Sequence, residues 1–377
     1  MTAVKKVAIA GCGAASMAAA IPLAEAGVSV DVYELKPELS ALGSGITLQG
    51  NALRALGRLG VWEQAAAEGY PFEGLTLRAP GPDAPIIAEL PEVKTGGPDF
   101  PACMGMYRPD LARILVARAE SLGVRVHFGA KITGVRETGT GVLVDVGGAP
   151  VGEFDLLIGA DGLHSTVREL IGIEIQPEHT GMGIWRAFVP RPAEVTQSQL
   201  YYGGPAYIAG YTPTGEDTMY AFLVEDAQDR FGVGPKEAAE IMKGIASAYG
   251  GPWNEIRASL SESSRINYTW FTSHIIDGPW NRGRTVVIGD AAHSCPPTVA
   301  QGAAQALEDG IVLADLLLAA DDIDQDLWDA FHARRAPRAR AVVEASVQLG
   351  RWQLEHDRDA DAAGLIFGVA QQMALPA

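Results

Sequence analysis

GDAAHSCPPTVAQGAAQALED occupies residues 289–309, directly after the apolar run Thr285-Val286-Val287-Ile288. A short buried strand thus ends on an acid, Asp290. Small residues follow, then Pro296-Pro297, then a helical run from about Gly302. An acid at a strand end can accept hydrogen bonds from sugar hydroxyls. The first N–H groups of the next helix lack intrahelical partners and carry partial positive charge, which suits a negatively polarised ligand edge. Pro297 stiffens the approach, and Gly302 lets the backbone come close to a flat ligand. An ordinary strand–loop–helix crossover has the same outline, so the reading turns on its partners elsewhere in the chain.

The first partner is at the start. Val7-Ala8-Ile9-Ala10 reads as a buried parallel strand, followed by Gly11-Cys12-Gly13-Ala14-Ala15-Ser16 and an Ala-rich helix to about Ala26. Val28 to Tyr33 forms a second strand closing on Glu34. This is a βαβ unit with a dinucleotide fingerprint: Gly11 and Gly13 match, and Ser16 takes the place of the third glycine. Glu34 stands near the ~20-residue spacing of an acid that binds ribose hydroxyls, and its charge excludes a 2′-phosphate there.

The second partner is Phe154 to Gly159, a buried-type strand running into Asp161-Gly162-Leu163-His164-Ser165-Thr166-Val167-Arg168. His164 and Ser165 read as capping or packing residues. Between these units, Gly43-Ser44-Gly45-Ile46 is a loop before a helix near Asn51. Thr76 to Arg78 and Ile86 to Leu90 look like strands, and Glu92 to Pro101 a loop. Arg108-Pro109-Asp110 opens a helix ending at Leu122-Gly123, with Pro109 suited to the first turn. Arg108 is placed to reach a bound phosphate or to stay solvated. Val124 to Phe128, Ile132 to Arg136 and Val142 to Val146 alternate like strands.

From about 175 to 275 the strand-like runs Ile184 to Val189, Gln199 to Tyr202, Tyr207 to Tyr211 and Met219 to Val224 surround one helix, Pro235 to Tyr249. Beyond Asp309 helices are expected to Leu318 and from Gln325 to Leu354, with a break near Pro337. The fold expected is α/β: a Rossmann-like nucleotide-binding domain, an inserted, mainly antiparallel β-sheet substrate domain and C-terminal helices. Residues 1–72, 102–175 and 276–377 form the three parts of the first, the last part carrying the helices; 73–101 and 176–275 form the second.

Composition narrows the function classes. The chain has 377 residues, with 29 Lys and Arg against 46 Asp and Glu, a formal net charge of −17. That disfavours nucleic acid and anionic membranes as partners. Cys12, Cys103 and Cys295 lack metal-ligand spacing and read as small buried hydrophobes. No run reaches ~18 apolar residues without a charge or breaker. A cytoplasmic protein, monomer or homodimer, is expected.

GCGAAS with Glu34, DGLHSTVR and GDAAHSCPPTVAQG, in this order, resemble the class A FAD-dependent aromatic-ring hydroxylases, the para-hydroxybenzoate hydroxylase-like flavoprotein monooxygenases. The salicylate and hydroxynicotinate hydroxylases are the nearest of these. The resemblance implies FAD as cofactor, NAD(P)H as co-substrate, and hydroxylation of a small electron-rich aromatic or heteroaromatic substrate by dioxygen through a flavin hydroperoxide. It implies cofactor contacts from Gly11, Gly13, Ser16, Glu34, Gly45, Arg108, Asp161, Gly162, Asp290, Pro297 and Gly302. Ala300 stands where the usual Gly-Gln-Gly has its first glycine, and Ala304 where asparagine is common.

Protein groups that bind or deprotonate a substrate hydroxyl are expected to face the ring. Candidates are Thr47, Arg186 and Tyr211; Tyr202 and Tyr220 read more simply as sheet packing. Thr47 stands where the hydroxynicotinate enzymes have histidine. NAD(P)H, with one fingerprint already filled by FAD, is expected to dock near Asp161-Gly162 and the Gly43-Ser44-Gly45 loop. The alternatives are a flavoprotein of this fold with dehydrogenase, halogenase or Baeyer–Villiger chemistry, or a non-catalytic flavin-binding redox protein. The halogenase Trp-x-Trp-x-Ile-Pro pattern is absent.

Overall fold

A computed structural model describes residues 2–39 and 45–377; Gly43 and Ser44 lie outside them. Apolar runs too uniform to face water become the centre of a six-stranded sheet. Lys6–Ala10 pairs in parallel with Ser29–Glu34 on one side and Leu156–Gly159 on the other. Arg125–Phe128 extends one flank, Thr285–Val287 the other, and the short strand Asn281–Arg282 closes the edge antiparallel. Ala14–Glu25 and Gly302–Ala319 pack on this sheet. Gly310 lets the two helices touch: a Cβ there would lie 2.5 Å from the Ala15 carbonyl oxygen.

The second body is an eight-stranded sheet, antiparallel except for one parallel pair. The chain enters it three times, at Gly74–Arg78 and Ile86–Pro91, then from Glu178–Pro190 to Arg265–Ile275, and last with the short edge strand His293–Ser294. One face is covered by two helices, Pro235–Ala246 and Trp253–Ser259, where a single helix is expected from sequence. The other face turns toward the parallel sheet. A three-stranded sheet, Gly45–Gln49, Cys103–Tyr107 and Tyr70–Phe72, sits between them. Gly105 is the point of closest approach: a Cβ there would meet the Pro213 carbonyl oxygen at 1.8 Å.

The break expected near Pro337 does not occur. Gln325–Leu354 is one helix of 30 residues with Pro337 inside it. Proline removes one helical hydrogen bond, but anchors on either side hold the axis. Arg335 donates to Asp309 and Glu308 at 2.7 and 2.8 Å, and Arg338 donates to Glu308 at 3.0 Å. A further helix, Ala362–Ala374, packs Val369 and Met373 against Val299, Val342 and Leu349. Among the described residues, no helix is long and apolar enough to cross a membrane.

Candidate active site

A cavity of about 730 Å³ lies between the two large sheets, within the usual size range of ligand sites. Gly11, Gly13, Glu34, Gly45, Thr47, Arg108, Asp161, Gly162, Arg186, Asp290, Pro297 and Gly302 all line it.

At one end the backbone prepares a phosphate seat. Gly11 has φ +88°, and a Cβ there would lie 2.5 Å from the Ala160 carbonyl oxygen, so only glycine fits between the two strand ends. The helix Ala14–Glu25 has no side chain capping its N-terminus, and Gly13, Ala14 and Ala15 face the cavity. Its first N–H groups are therefore available to an anion. Glu34 accepts from the backbone N–H groups of Cys12 and Lys36 at 2.8 and 2.9 Å. These bonds fix the carboxylate and leave lone pairs for hydroxyl donors.

At the other turn Asp290 is open to the cavity, while protein crowds it on its remaining sides. Burial, with repulsion from Asp309, pushes its carboxyl above the usual carboxylate value. Its side chain makes no hydrogen bond to protein among the described residues. The turn is braced from behind by Asp309, which is fully buried. Asp309 accepts from Gly289 N at 2.9 Å, His293 Nε2 at 2.7 Å and Arg335 Nε at 2.7 Å. The His293 and Arg335 partners hold its carboxyl below the usual value against the cost of burial. The helix Gly302–Ala319 also begins uncapped, since Gln301 turns its side chain to Asn51.

Asp161 lines the cavity but is heavily engaged. It accepts from Ser165 Oγ at 2.5 Å, Thr166 N at 2.8 Å and Val167 N at 3.1 Å. It caps the short helix Thr166–Leu170 and shapes the turn that presents Gly162.

The roof comes from the eight-stranded sheet. Arg186 stands opposite Phe222, and Thr212 opposite Tyr220. Arg186 and Tyr220 reach the cavity. Arg186 donates to Thr269 Oγ1 at 2.9 Å, and no carboxylate pairs with it among the described residues. Burial pulls its guanidinium down to about 10, with the Arg108 cation adding to the shift; it stays charged at neutral pH. The Tyr220 hydroxyl lies 2.7 Å from Thr47 Oγ1.

Two expected site residues are corrected. Tyr211 pairs with Ala221, one residue out of step with Tyr220, so strand alternation turns it to the far face. There it is fully buried, donates to Gln199 Oε1 at 2.6 Å and packs beside Trp253. Ser16 is fully buried inside its helix and does not reach the cavity; its hydroxyl has no partner there. Its smallness serves helix packing. Tyr202 is 46% exposed and also outside the cavity. Tyr220, read from sequence as packing, is a cavity residue. Thr272, His293 and Ser294 line the cavity as well; no motif in the sequence singles out Thr272. Cys295 faces it too, with its thiol pushed up to about 12 by burial, so it is no nucleophile at neutral pH.

The donor set fits FAD. Hydroxyl acceptors stand at Glu34 and Asp290, uncapped helix starts at two turns, and Gly13 and Gly302 have open space where a side chain would project.

A family model described as FAD binding domain matches residues 5–346. The putative FAD-dependent monooxygenase YetM of Bacillus subtilis is 31% identical over 360 residues, covering 95% of this chain and 96% of that protein. The 6-hydroxynicotinate 3-monooxygenase of Pseudomonas fluorescens is 29% identical over 356 residues, 90% of each. A solved structure of 2-methyl-3-hydroxypyridine-5-carboxylic acid oxygenase superposes with a TM-score of 0.80 at 25% identity, covering 98% of this chain and 96% of that one.

Proposed function

The chain belongs to the FAD binding domain family and is an FAD-dependent monooxygenase, and from that premise we propose that it hydroxylates a small aromatic or heteroaromatic ring bearing an anionic group. The observation that carries the substrate assignment is the Arg186 guanidinium, a cation facing the cavity with no carboxylate partner among the described residues. A cation half-buried in the cavity wall and held only by a neutral hydroxyl is incompletely compensated, and a substrate carboxylate or ionised hydroxyl supplies the pair. Among the relatives, the hydroxynicotinate enzyme acts on a ring of this type.

When bound, FAD supplies the redox chemistry, accepting hydride from NAD(P)H and activating dioxygen. The protein's own groups bind, orient and shield. Glu34 and Asp290 hold hydroxyls of the cofactor, and the uncapped helix starts hold its phosphates and its polarised ring edge. Arg186 anchors the substrate's anionic group. The Tyr220 hydroxyl exchanges a hydrogen bond with a ring hydroxyl, and Thr47 Oγ1 keeps its oxygen in place. The two sheets and the strand Gly45–Gln49 exclude water from the reacting ring. NAD(P)H docks transiently near the Asp161-Gly162 turn.

A screen of NAD(P)H oxidation over phenols, hydroxybenzoates and hydroxypyridines, with product mass, tests this reading. Acidic rings should turn over, and Arg186→Ala should raise KM for them while leaving FAD content intact. Preference for neutral alkylated rings, or parental KM in Arg186→Ala, would overturn the substrate assignment.

A further inference from the structure

Arg168 is almost fully buried, and no carboxylate lies within ion-pair distance of it among the described residues. Its guanidinium donates to the Leu163 carbonyl at 2.9 Å and to the Ala291 carbonyl at 2.8 Å, joining the two ligand-facing turns. It also lies 3.3 Å from His274 Nε2. A guanidinium has five donors and no acceptor, so Nε2 keeps its lone pair toward Arg168 and the ring proton sits on Nδ1. The Ala291 carbonyl also acts on this ring and favours the opposite tautomer, but a proton on Nε2 would face the N–H groups of the charged Arg168 guanidinium with no lone pair to meet them. Burial, then Arg168 and His293, hold His274 down at about 4, so the ring is neutral at neutral pH.

His274 Nδ1 lies 2.8 Å from Ser294 Oγ. With the proton on Nδ1, the ring donates and the serine accepts. A hydroxyl that accepts on one side keeps its own proton for another acceptor. Ser294 lines the cavity, and among the described residues its hydroxyl has no other partner.

We propose that Ser294 is a directed hydrogen-bond donor to the bound flavin, with Arg168 and His274 as the positioning residues that aim its proton. The assignment rests on FAD occupying this cavity. Flavin heteroatoms gain electron density on reduction, so a donor aimed at them favours the reduced form.

The test compares the parent holoenzyme with Ser294→Ala, His274→Leu and His274→Gln. Ser294→Ala removes the hydroxyl alone. It should lower the equilibrium constant for two-electron reduction about tenfold, a reduction potential about 30 mV more negative, and shift the visible flavin spectrum. His274→Leu should do the same. His274→Gln should restore the parental value, because its amide oxygen faces Arg168 and its N–H faces Ser294. An unchanged potential and spectrum in Ser294→Ala overturns the proposal, as does a change confined to KM, which would give the donor to the substrate. If His274→Leu fails to fold, nitrogen NMR of histidine-labelled parent decides the aiming: a protonated Nε2 on His274 overturns it. A parent that binds no FAD would instead sink the functional reading itself.

Discussion

The Tyr220 hydroxyl and Thr47 Oγ1 lie 2.7 Å apart across two different sheets, and the Tyr220 ring lies against Gly45, where a Cβ would come within 2.1 Å of it. Gly45–Gln49 therefore makes room for the ring with one residue and fixes its oxygen with another. Thr47→Val keeps the shape and removes the hydroxyl. A neutral hydrogen bond contributes about 0.5–1.5 kcal/mol, so kcat/KM should fall roughly two- to tenfold. Tyr220→Phe should fall at least as far, with FAD content unchanged in both. Tyr211→Phe serves as the control: its kinetics should match the parent, with a loss confined to stability from the Gln199 bond. Steady-state NAD(P)H oxidation with a confirmed substrate checks all three.

Asp290→Ala should weaken FAD retention more than Asp161→Ala. Asp290 faces the cavity without a protein hydrogen-bond partner among the described residues, whereas Asp161 spends its oxygens on Ser165, Thr166 and Val167. Losing a charge-assisted bond costs about 1.5–3 kcal/mol, or roughly ten- to a hundredfold in the FAD dissociation constant. Asp161→Ala should show itself first as a lower melting temperature, through the lost helix cap. Fluorescence titration of FAD into the apoproteins separates the two effects. Equal dissociation constants in both variants and the parent would refute the assignment of Asp290.

Ala300 adopts the left-handed region, with φ +51° and ψ +32°, a conformation that favours glycine. A Cβ in that conformation costs about 1–2 kcal/mol. Ala300→Gly should recover part of it, offset by the greater freedom of glycine in the unfolded chain. The expected net gain is on the order of 1 kcal/mol, read as a higher urea midpoint at an unchanged slope. A lower midpoint would mean that the Ala300 methyl makes contacts worth more than the strain.

His274 gives the fold an acid sensitivity of definite sign. Its folded pKa is about 4 against the ordinary 6.5, depressed first by burial and then by Arg168. As pH falls through 6.5 the unfolded chain takes up this proton and the folded one does not. Stability is thus lost between about pH 6.5 and 4 and levels off below, by at most ~3 kcal/mol. His274→Gln should flatten the urea midpoint across that window. A parental slope in the variant would place the acid sensitivity elsewhere.

Much of this site is legible in the sequence because buried parallel strands are written as short apolar runs, and the acids and glycines at their ends stay adjacent in the chain. Glu34, Asp161 and Asp290 reach one cavity for that reason. The roof is not legible in the same way. Ile208–Pro213 is buried on both faces, so no alternation distinguishes Tyr211 from its neighbours, and only the pairing of Tyr220 with Thr212 shows which face looks at the cavity. The strand Cys103–Tyr107 carries no β-branched residue and is held by its two partners. The Asp309–Arg335 and Glu308–Arg338 pairs join residues on separate helices, and nothing in the spacing of those residues announces them. They are also what carries the long helix through Pro337.

The central claim, an FAD monooxygenase acting on an acidic ring, is tested most directly by turnover under heavy-isotope dioxygen with NAD(P)H and the best acidic substrate from the screen. The product should carry a single heavy oxygen atom on the ring, in amount matching the NAD(P)H oxidised. Oxidation of NAD(P)H that yields hydrogen peroxide alone with every ring, or a product whose new oxygen comes from water, would contradict it.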